Sequence, residues 1–194
     1  MTIKDIIKIT LNLIIIYLIG GAILAAVYAN TSPVIYKKAE QEKQDALQKM
    51  MPQADKIYSP PDASWVWAPH GKHGEYYEAQ KGGQTIGYIV RSFGKGYSGY
   101  IDTLVSVDKN FTIVAIDVLH HTETPGLGDE IDFDYFKDQF KGKTLDHLVV
   151  RKEETKEDIQ AITGATISSR AVSEDAVKHG IETLKQKFSS GDKQ

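Results

Sequence analysis

The sequence contains no cysteine. Disulfides, thiolate zinc sites, iron–sulfur clusters and a cysteine nucleophile are therefore excluded. An excess of positive charge is missing as well: 23 Lys and Arg stand against 26 Asp and Glu, for a net charge of −3. That balance argues against a dedicated nucleic-acid binder, which needs clustered cations to neutralise phosphates. Proline and glycine, at 6 and 16 of 194 residues, are too few for a collagen-like or low-complexity chain. A charged fraction of 25% beside a hydrophobic fraction of 41% speaks against wholesale disorder. The length allows one ordinary domain plus an appendage.

A further absence is local. Positions 9–36 hold no charged residue, and Ile9–Ala29 reads ITLNLIIIYLIGGAILAAVYA. At about 1.5 Å per residue a helix over this run spans roughly 30 Å, the thickness of a bilayer's hydrocarbon. A cleaved signal peptide would have a shorter apolar core closed by an A-x-A-like site. The run is longer and no clean A-x-A closes it, so an uncleaved transmembrane anchor over 9–30 is expected. Basic residues flank it on both sides (Lys4 and Lys8 before, Lys37, Lys38 and Lys43 after), and they do not fix its orientation.

Beyond the anchor, Val34–Met51 predicts a helix, with a break near Ser32-Pro33 and a stop at Pro52. The organisation expected is an N-terminal flank 1–8, an anchor 9–30, a juxtamembrane helix 31–52, a main domain 53–188 and a polar tail 189–194. Residues 52–74, with Pro60-Pro61, read as irregular. Glu75–Gln80 and Thr85–Phe93 predict a hairpin around Lys81-Gly82-Gly83, and Tyr100–Val107 and Phe111–His120 a second around Asp108-Lys109-Asn110. Apolar residues on both faces of the last of these strands suggest a central position. Phe133–Phe140 is a short helix candidate and Leu148–Arg151 a strand candidate. Ser169–Phe188 carries an apolar stripe of Val172, Ala176, Val177, Ile181, Leu184 and Phe188 and predicts a helix. The fold class expected is α+β, with a mainly antiparallel sheet and flanking helices.

Two loops could carry chemistry. His120-His121-Thr122-Glu123-Thr124-Pro125-Gly126-Leu127-Gly128-Asp129 follows a strand, and its glycines and proline let the backbone turn tightly and approach a ligand. A plain connecting loop reads the same way. Thr163-Gly164-Ala165-Thr166-Ile167-Ser168-Ser169 puts four hydroxyls and small residues just before a helix. Free N–H groups and the positive end of the helix dipole suit a phosphate there, and ordinary helix capping uses the same residues. No metal site is expected. His120 and His121 are adjacent in a strand and point to opposite faces, and Asp129, Glu130, Asp132 and Asp134 lack the EF-hand spacing. Tyr97 lies in Gly94-Lys95-Gly96-Tyr97-Ser98-Gly99, a segment that bends easily.

In order along the chain, an anchor, GYSGYI, a strand ending VLHHTETPGLGD and TGATISS before the last helix resemble the G subunit of the Rnf electron-transport complex. The same segments are similar to the C subunit of the sodium-pumping NADH:quinone oxidoreductase. The resemblance covers roughly Ile9 to Leu184. It implies a flavin mononucleotide (FMN) joined through its phosphate to the hydroxyl of Thr166 by a flavin transferase. Glu123, Thr124, Leu127 and Gly128 would approach the flavin, and Thr163, Gly164 and Ala165 its phosphate end, with Ser169 nearby. The N-terminus would be cytoplasmic and the soluble domain extracytoplasmic, on the inner membrane. The chain would be an electron carrier within a multi-subunit complex that passes electrons between ferredoxin and NAD and moves Na⁺ or H⁺. Gln160 departs from the pattern, which often has an acidic residue six positions before the attached threonine. Two rival readings are a non-redox anchored adaptor and an outward-facing hydrolase using His120 or His121.

Overall fold

A computed structural model describes residues 3–67 and 71–191. The first element is a helix, α1, over Ile3–Met50. Through its apolar half no side chain is buried, and the helix is long and apolar enough to cross a membrane. The break expected near Pro33 does not occur, because Pro33 sits inside the helix. Its missing N–H removes one backbone bond. Side chains just before it bond back to the helix, Asn30 Nδ2 to Ala26 O at 2.8 Å and Thr31 Oγ1 to Val27 O at 2.9 Å. Long apolar helices tolerate one proline under such conditions.

The remainder is built on one antiparallel sheet. Its strands are β1 (Lys56–Tyr58), β2 (Ser64–Trp67), β3 (Lys72–Lys81), β4 (Gln84–Lys95), β5 (Tyr100–Asp108) and β6 (Ile113–His120). The order is β1-β3-β4-β5-β6, with β2 also paired to β3. Both central residues of the β3–β4 turn, Gly82 and Gly83, have positive φ (57° and 78°). A two-residue hairpin following the right-handed twist of its strands requires such angles, and glycine supplies them without steric cost.

The segment expected to be irregular contributes β1 and β2. Both lie along the same edge of the ten-residue β3, end to end, separated by the Pro60-Pro61 corner. Each is too short to show an alternating pattern. A second correction concerns β6, which is an edge strand rather than a central one. Its two faces are apolar because each packs on a core, Ile113, Ile116 and Val118 on one side and Val114, Ala115 and Leu119 on the other. Backbone bonds tie Ile113 to Gly142 and Lys143, and Lys137 reaches Asp117 at 3.1 Å, so following chain covers the edge. The strand buried along both faces is β5, from Ile101 to Val107.

After β6 come short helical turns, including α2 (Asp134–Lys137), and a small parallel pair, β7 (Val150–Arg151) with β8 (Ile159–Gln160). The chain then forms α3 (Thr166–Arg170), a π-helical stretch (Ala171–Lys178) and α4 (His179–Gly191). The expected single α-helix is thus wound more widely in its middle. A π-turn bonds i to i+5 and is frequently found at functional sites. The helix enters the segment expected to be a polar tail, and residues 192–194 lie outside those described.

The sheet buries side chains on both faces. On one, Val90, Val105 and Val107 meet Val172, Val177, Ile181 and Leu184. On the other, Ala46, Leu47 and Met50 pack on Tyr77, Ala79, Ile89 and Leu104. Further along this second face the residues turn charged, where Arg91 bonds Asp102 at 2.6 Å and Glu75 at 3.0 Å. Leu47 is 2% exposed. Leu47→Ala should cost about 3 kcal/mol, the usual range for a leucine truncated in a packed core. The check is a shifted unfolding transition of the detergent-solubilised protein.

Candidate functional site

The two loops singled out by sequence meet at one cavity of about 760 Å³. The first leaves β6 through Glu123 and turns at Thr124-Pro125-Gly126-Leu127. Leu127 N–H donates to Thr124 O at 3.2 Å, and Gly126 has φ 73°. Proline then glycine with positive φ at the two central positions is the signature of a type II turn. The turn points Leu127 at the second loop, where a Cβ on Gly164 would lie 3.1 Å from Leu127 Cδ2. Gly164, at φ 81°, turns the chain into α3, whose first residue is Thr166.

Glu123, Thr124, Leu127, Gly128, Thr163, Gly164, Ala165 and Thr166 all line this cavity. Ser169 does not. Its hydroxyl accepts from Ile162 N–H and donates to Ala165 O, both at 3.0 Å, and so closes the start of the helix. Ser168 Oγ is likewise engaged, donating to Glu123 Oε2. Of the four hydroxyls in the segment, those of Thr163 and Thr166 have no hydrogen-bond partner among the described residues. Thr163 is exposed and Thr166 half-buried.

The cavity also draws on residues that the sequence pattern did not assign to it. Tyr97, from the turn between β4 and β5, and Ile167 contribute large apolar surface, being 75% and 54% exposed. Lys152, just after β7, is the one Lys or Arg among the lining residues. Its position carries no local sequence pattern, whereas Tyr97 is marked by flanking glycines.

Glu123 is 5% exposed. Burial pushes its carboxyl up, but hydrogen bonds from the Ser168 hydroxyl and from the N–H groups of Ser98, Tyr97 and Gly99 outweigh this and hold it below its usual range. The group is therefore a carboxylate near neutral pH and a poor proton donor. His121 supports it from behind. Its Nδ1 accepts from Glu123 N–H at 3.1 Å, so the ring proton sits on Nε2, 2.9 Å from Asp132 Oδ2. Both nitrogens of His121 are thus occupied, so this ring is not a free base, and His120 does not line the cavity. Among the described residues, no group of three or more His, Asp or Glu could hold a metal ion.

A mixed apolar and polar cavity of this size falls within the range of small-molecule sites, and its lining offers apolar surface for a flat ring at Tyr97, Leu127 and Ile167 and a cation for an anionic tail at Lys152. Residues 96–182 match the FMN-binding domain family, a span that includes Tyr97 and both loops. The chain is 41% identical over 182 residues to the G subunit of the proton-translocating ferredoxin:NAD(+) oxidoreductase complex of Clostridium ljungdahlii, covering 93% of this chain and 92% of that one. It is 32% identical over 181 residues to the G subunit of the Na(+)-translocating ferredoxin:NAD(+) oxidoreductase complex of Acetobacterium woodii, covering 87% of each. Among solved structures, the C subunit of the Na(+)-translocating NADH-quinone reductase from Parabacteroides distasonis shares the fold, with a TM-score of 0.56 at 23% identity over 77% of this chain and 94% of that one. NqrC from Shewanella oneidensis does so with a TM-score of 0.52, also at 23% identity, over 73% of this chain and 74% of that one. The chain belongs to the family of G subunits of ion-translocating oxidoreductase complexes, its FMN-binding domain following in sequence an N-terminal helix long and apolar enough to cross a membrane.

Proposed function

We propose that this subunit carries FMN in ester linkage between its phosphate and Thr166 Oγ1, and relays electrons through it to and from other subunits of the complex. The observation that carries the reading is the fate of the four hydroxyls before the last helix. Ser168 and Ser169 are engaged within the protein, and Thr166 lines the cavity with its hydroxyl unengaged. Thr163 has no partner either, but it lies outside the helix, whereas Thr166 is the first residue of α3.

The chain's own residues would bind and orient the group. Lys152 supplies a cation for the phosphate end, and Tyr97, Leu127 and Ile167 supply apolar surface for the ring. The flavin, when bound, supplies the redox chemistry, and the protein sets its position and surroundings. A covalent tether keeps the cofactor from being lost to the outer medium. That argument fits a soluble domain on the extracytoplasmic side, with the N-terminus cytoplasmic and the apolar stretch 9–30 of α1 in the lipid of the cytoplasmic membrane. Maturation would require a flavin transferase, and Gln160 would stand where that enzyme's substrates often have an acid.

Intact-protein mass after coexpression with a flavin transferase tests the reading. The expected gain is one FMN less one water. Trypsin cuts after Lys156 and Arg170, so peptide 157–170 should carry the added mass, with fragmentation placing it on Thr166. A protein of unmodified mass, or a flavin on another residue, overturns the assignment.

A further inference from the structure

The flavin reading treats Glu123 as a residue beside the cofactor, yet its carboxylate oxygens are turned to protein donors. Oε2 accepts from Tyr97 N–H at 3.1 Å and from Ser168 Oγ, and Oε1 accepts from Ser98 N–H at 2.9 Å. These donors come from two separate segments: the Gly96–Gly99 turn after β4 and the start of the last helix. Neither glycine beside the carboxylate leaves room for a side chain. A Cβ on Gly96 would lie 2.5 Å from Glu123 Oε1, and one on Gly128 would lie 2.8 Å from Glu123 Cβ. Both backbones have therefore closed onto one buried group. The Gly96–Gly99 turn has a single backbone bond of its own, Gly96 N–H to Gly99 O at 2.8 Å. It presents Tyr97, largely exposed, to the cavity.

We propose that Glu123 is the positioning residue of the flavin cavity: its carboxylate clamps the Gly96–Gly99 turn to the helix start through Ser168 and thereby holds the Tyr97 ring at the flavin. The role in catalysis is indirect, because the carboxylate acts through Tyr97 and Ser168. The part concerning the flavin rests on the reading that the cavity holds FMN at Thr166. The clamp itself does not. A carboxylate offers acceptors on both oxygens, and this site needs them on both. Glutamine has the same shape but carries two N–H donors on one side, which would face a backbone donor or the hydroxyl. The held tyrosine matters because an aromatic ring against a flavin quenches its emission.

The test uses the full chain in detergent, coexpressed with a flavin transferase, as wild type, Glu123→Gln, Tyr97→Leu and the double variant. Amide hydrogen exchange reads the clamp without reference to the cofactor. In Glu123→Gln, exchange at Tyr97 and Ser98 should quicken by about tenfold, the effect of weakening the bonds that hold the turn by roughly one hydrogen bond. Exchange along β5 should not change. Flavin emission should rise in Glu123→Gln and in Tyr97→Leu, and the double variant should emit no more than Tyr97→Leu alone. Unchanged exchange at Tyr97 and Ser98, uniform acceleration through β5, or emission in Glu123→Gln at the wild-type level overturns the proposal. Where Glu123→Gln gives no folded protein, Ser168→Ala removes one arm of the clamp, and the same local rise in exchange is expected. No rise there overturns the proposal equally. A wild-type peptide 157–170 without added mass removes the tether assignment, and the exchange data still decide the clamp.

Discussion

Thr166→Val is expected to abolish the proposed covalent flavin: after denaturing electrophoresis the fluorescent band should be gone, while the protein should accumulate to its usual level. Two observations make the effect selective. The Thr166 hydroxyl has no partner within the described protein, so its removal leaves no buried donor or acceptor unpaired. The side chain is only half-buried, and valine has nearly the same shape. A change in stability of no more than about 1 kcal/mol follows, as for a substitution that breaks no named interaction. Thr163→Val in the same assay should leave the band, because Thr163 lies three residues outside the helix start. Ser169→Ala separates packing from chemistry. It strips Ile162 N–H of its acceptor in a buried place, and should lower stability by about 1–3 kcal/mol without moving the flavin to another residue. A fluorescent band surviving in Thr166→Val would falsify the tether.

Much of the fold could be read from the sequence where two independent patterns agreed. The β3–β4 hairpin combined alternating side chains with a Gly82-Gly83 turn, and the family features of both loops were local and contiguous. What the sequence hid was set by tertiary partners. The strands β1 and β2, of three and four residues, pair only because β3 is long enough to hold both. The apolar faces of β6 reported a core on each side of the sheet, not a central place within it. The stripe Val172, Ala176, Val177, Ile181 and Leu184 fits an α-helix and a locally wider winding equally well, so its π-stretch was not legible. Proline at 33 is a breaker on average, and a long apolar helix with side-chain bonds to Ala26 and Val27 carried through it. At the site, the ETPGLG and TGAT segments announced themselves. Ser169 belonged to the helix start, and Lys152 entered the cavity by topology alone. The direction of the Glu123 carboxylate, toward the Gly96–Gly99 turn, depends on chain some 25 residues earlier, as the Ser98 bond shows.

Gly94→Ala should be among the most damaging single substitutions in the soluble domain, although it adds one methyl group. Gly94 stands on β4 facing the π-helical stretch. A Cβ there would lie 1.9 Å from Ala171 O and 2.5 Å from Ala171 C. Both obstructing atoms are backbone, so no rotamer change relieves the clash, and strand and helix must move apart by more than 1 Å at that point. Overpacking of a core costs about 1–3 kcal/mol. This case belongs at or above the upper end, because the separation also opens the contacts of Val172 and Val177, both fully buried. A loss of about 3 kcal/mol lowers the melting temperature of a domain of this size by roughly 10 °C. Gly126→Ala is the matching control. Nothing lies within 4 Å of its Cβ, and the penalty there is the positive φ of 73° alone, about 1 kcal/mol. The two substitutions therefore separate steric closure from backbone conformation. Ala171 follows Thr166 by five residues, so the shift forced by Gly94→Ala reaches the first turn of the helix that begins at Thr166. Flavin incorporation should fall in step with stability. A melting temperature equal to that of the wild type would mean that the strand and the helix do not meet at this distance, and that the glycine at 94 is dispensable.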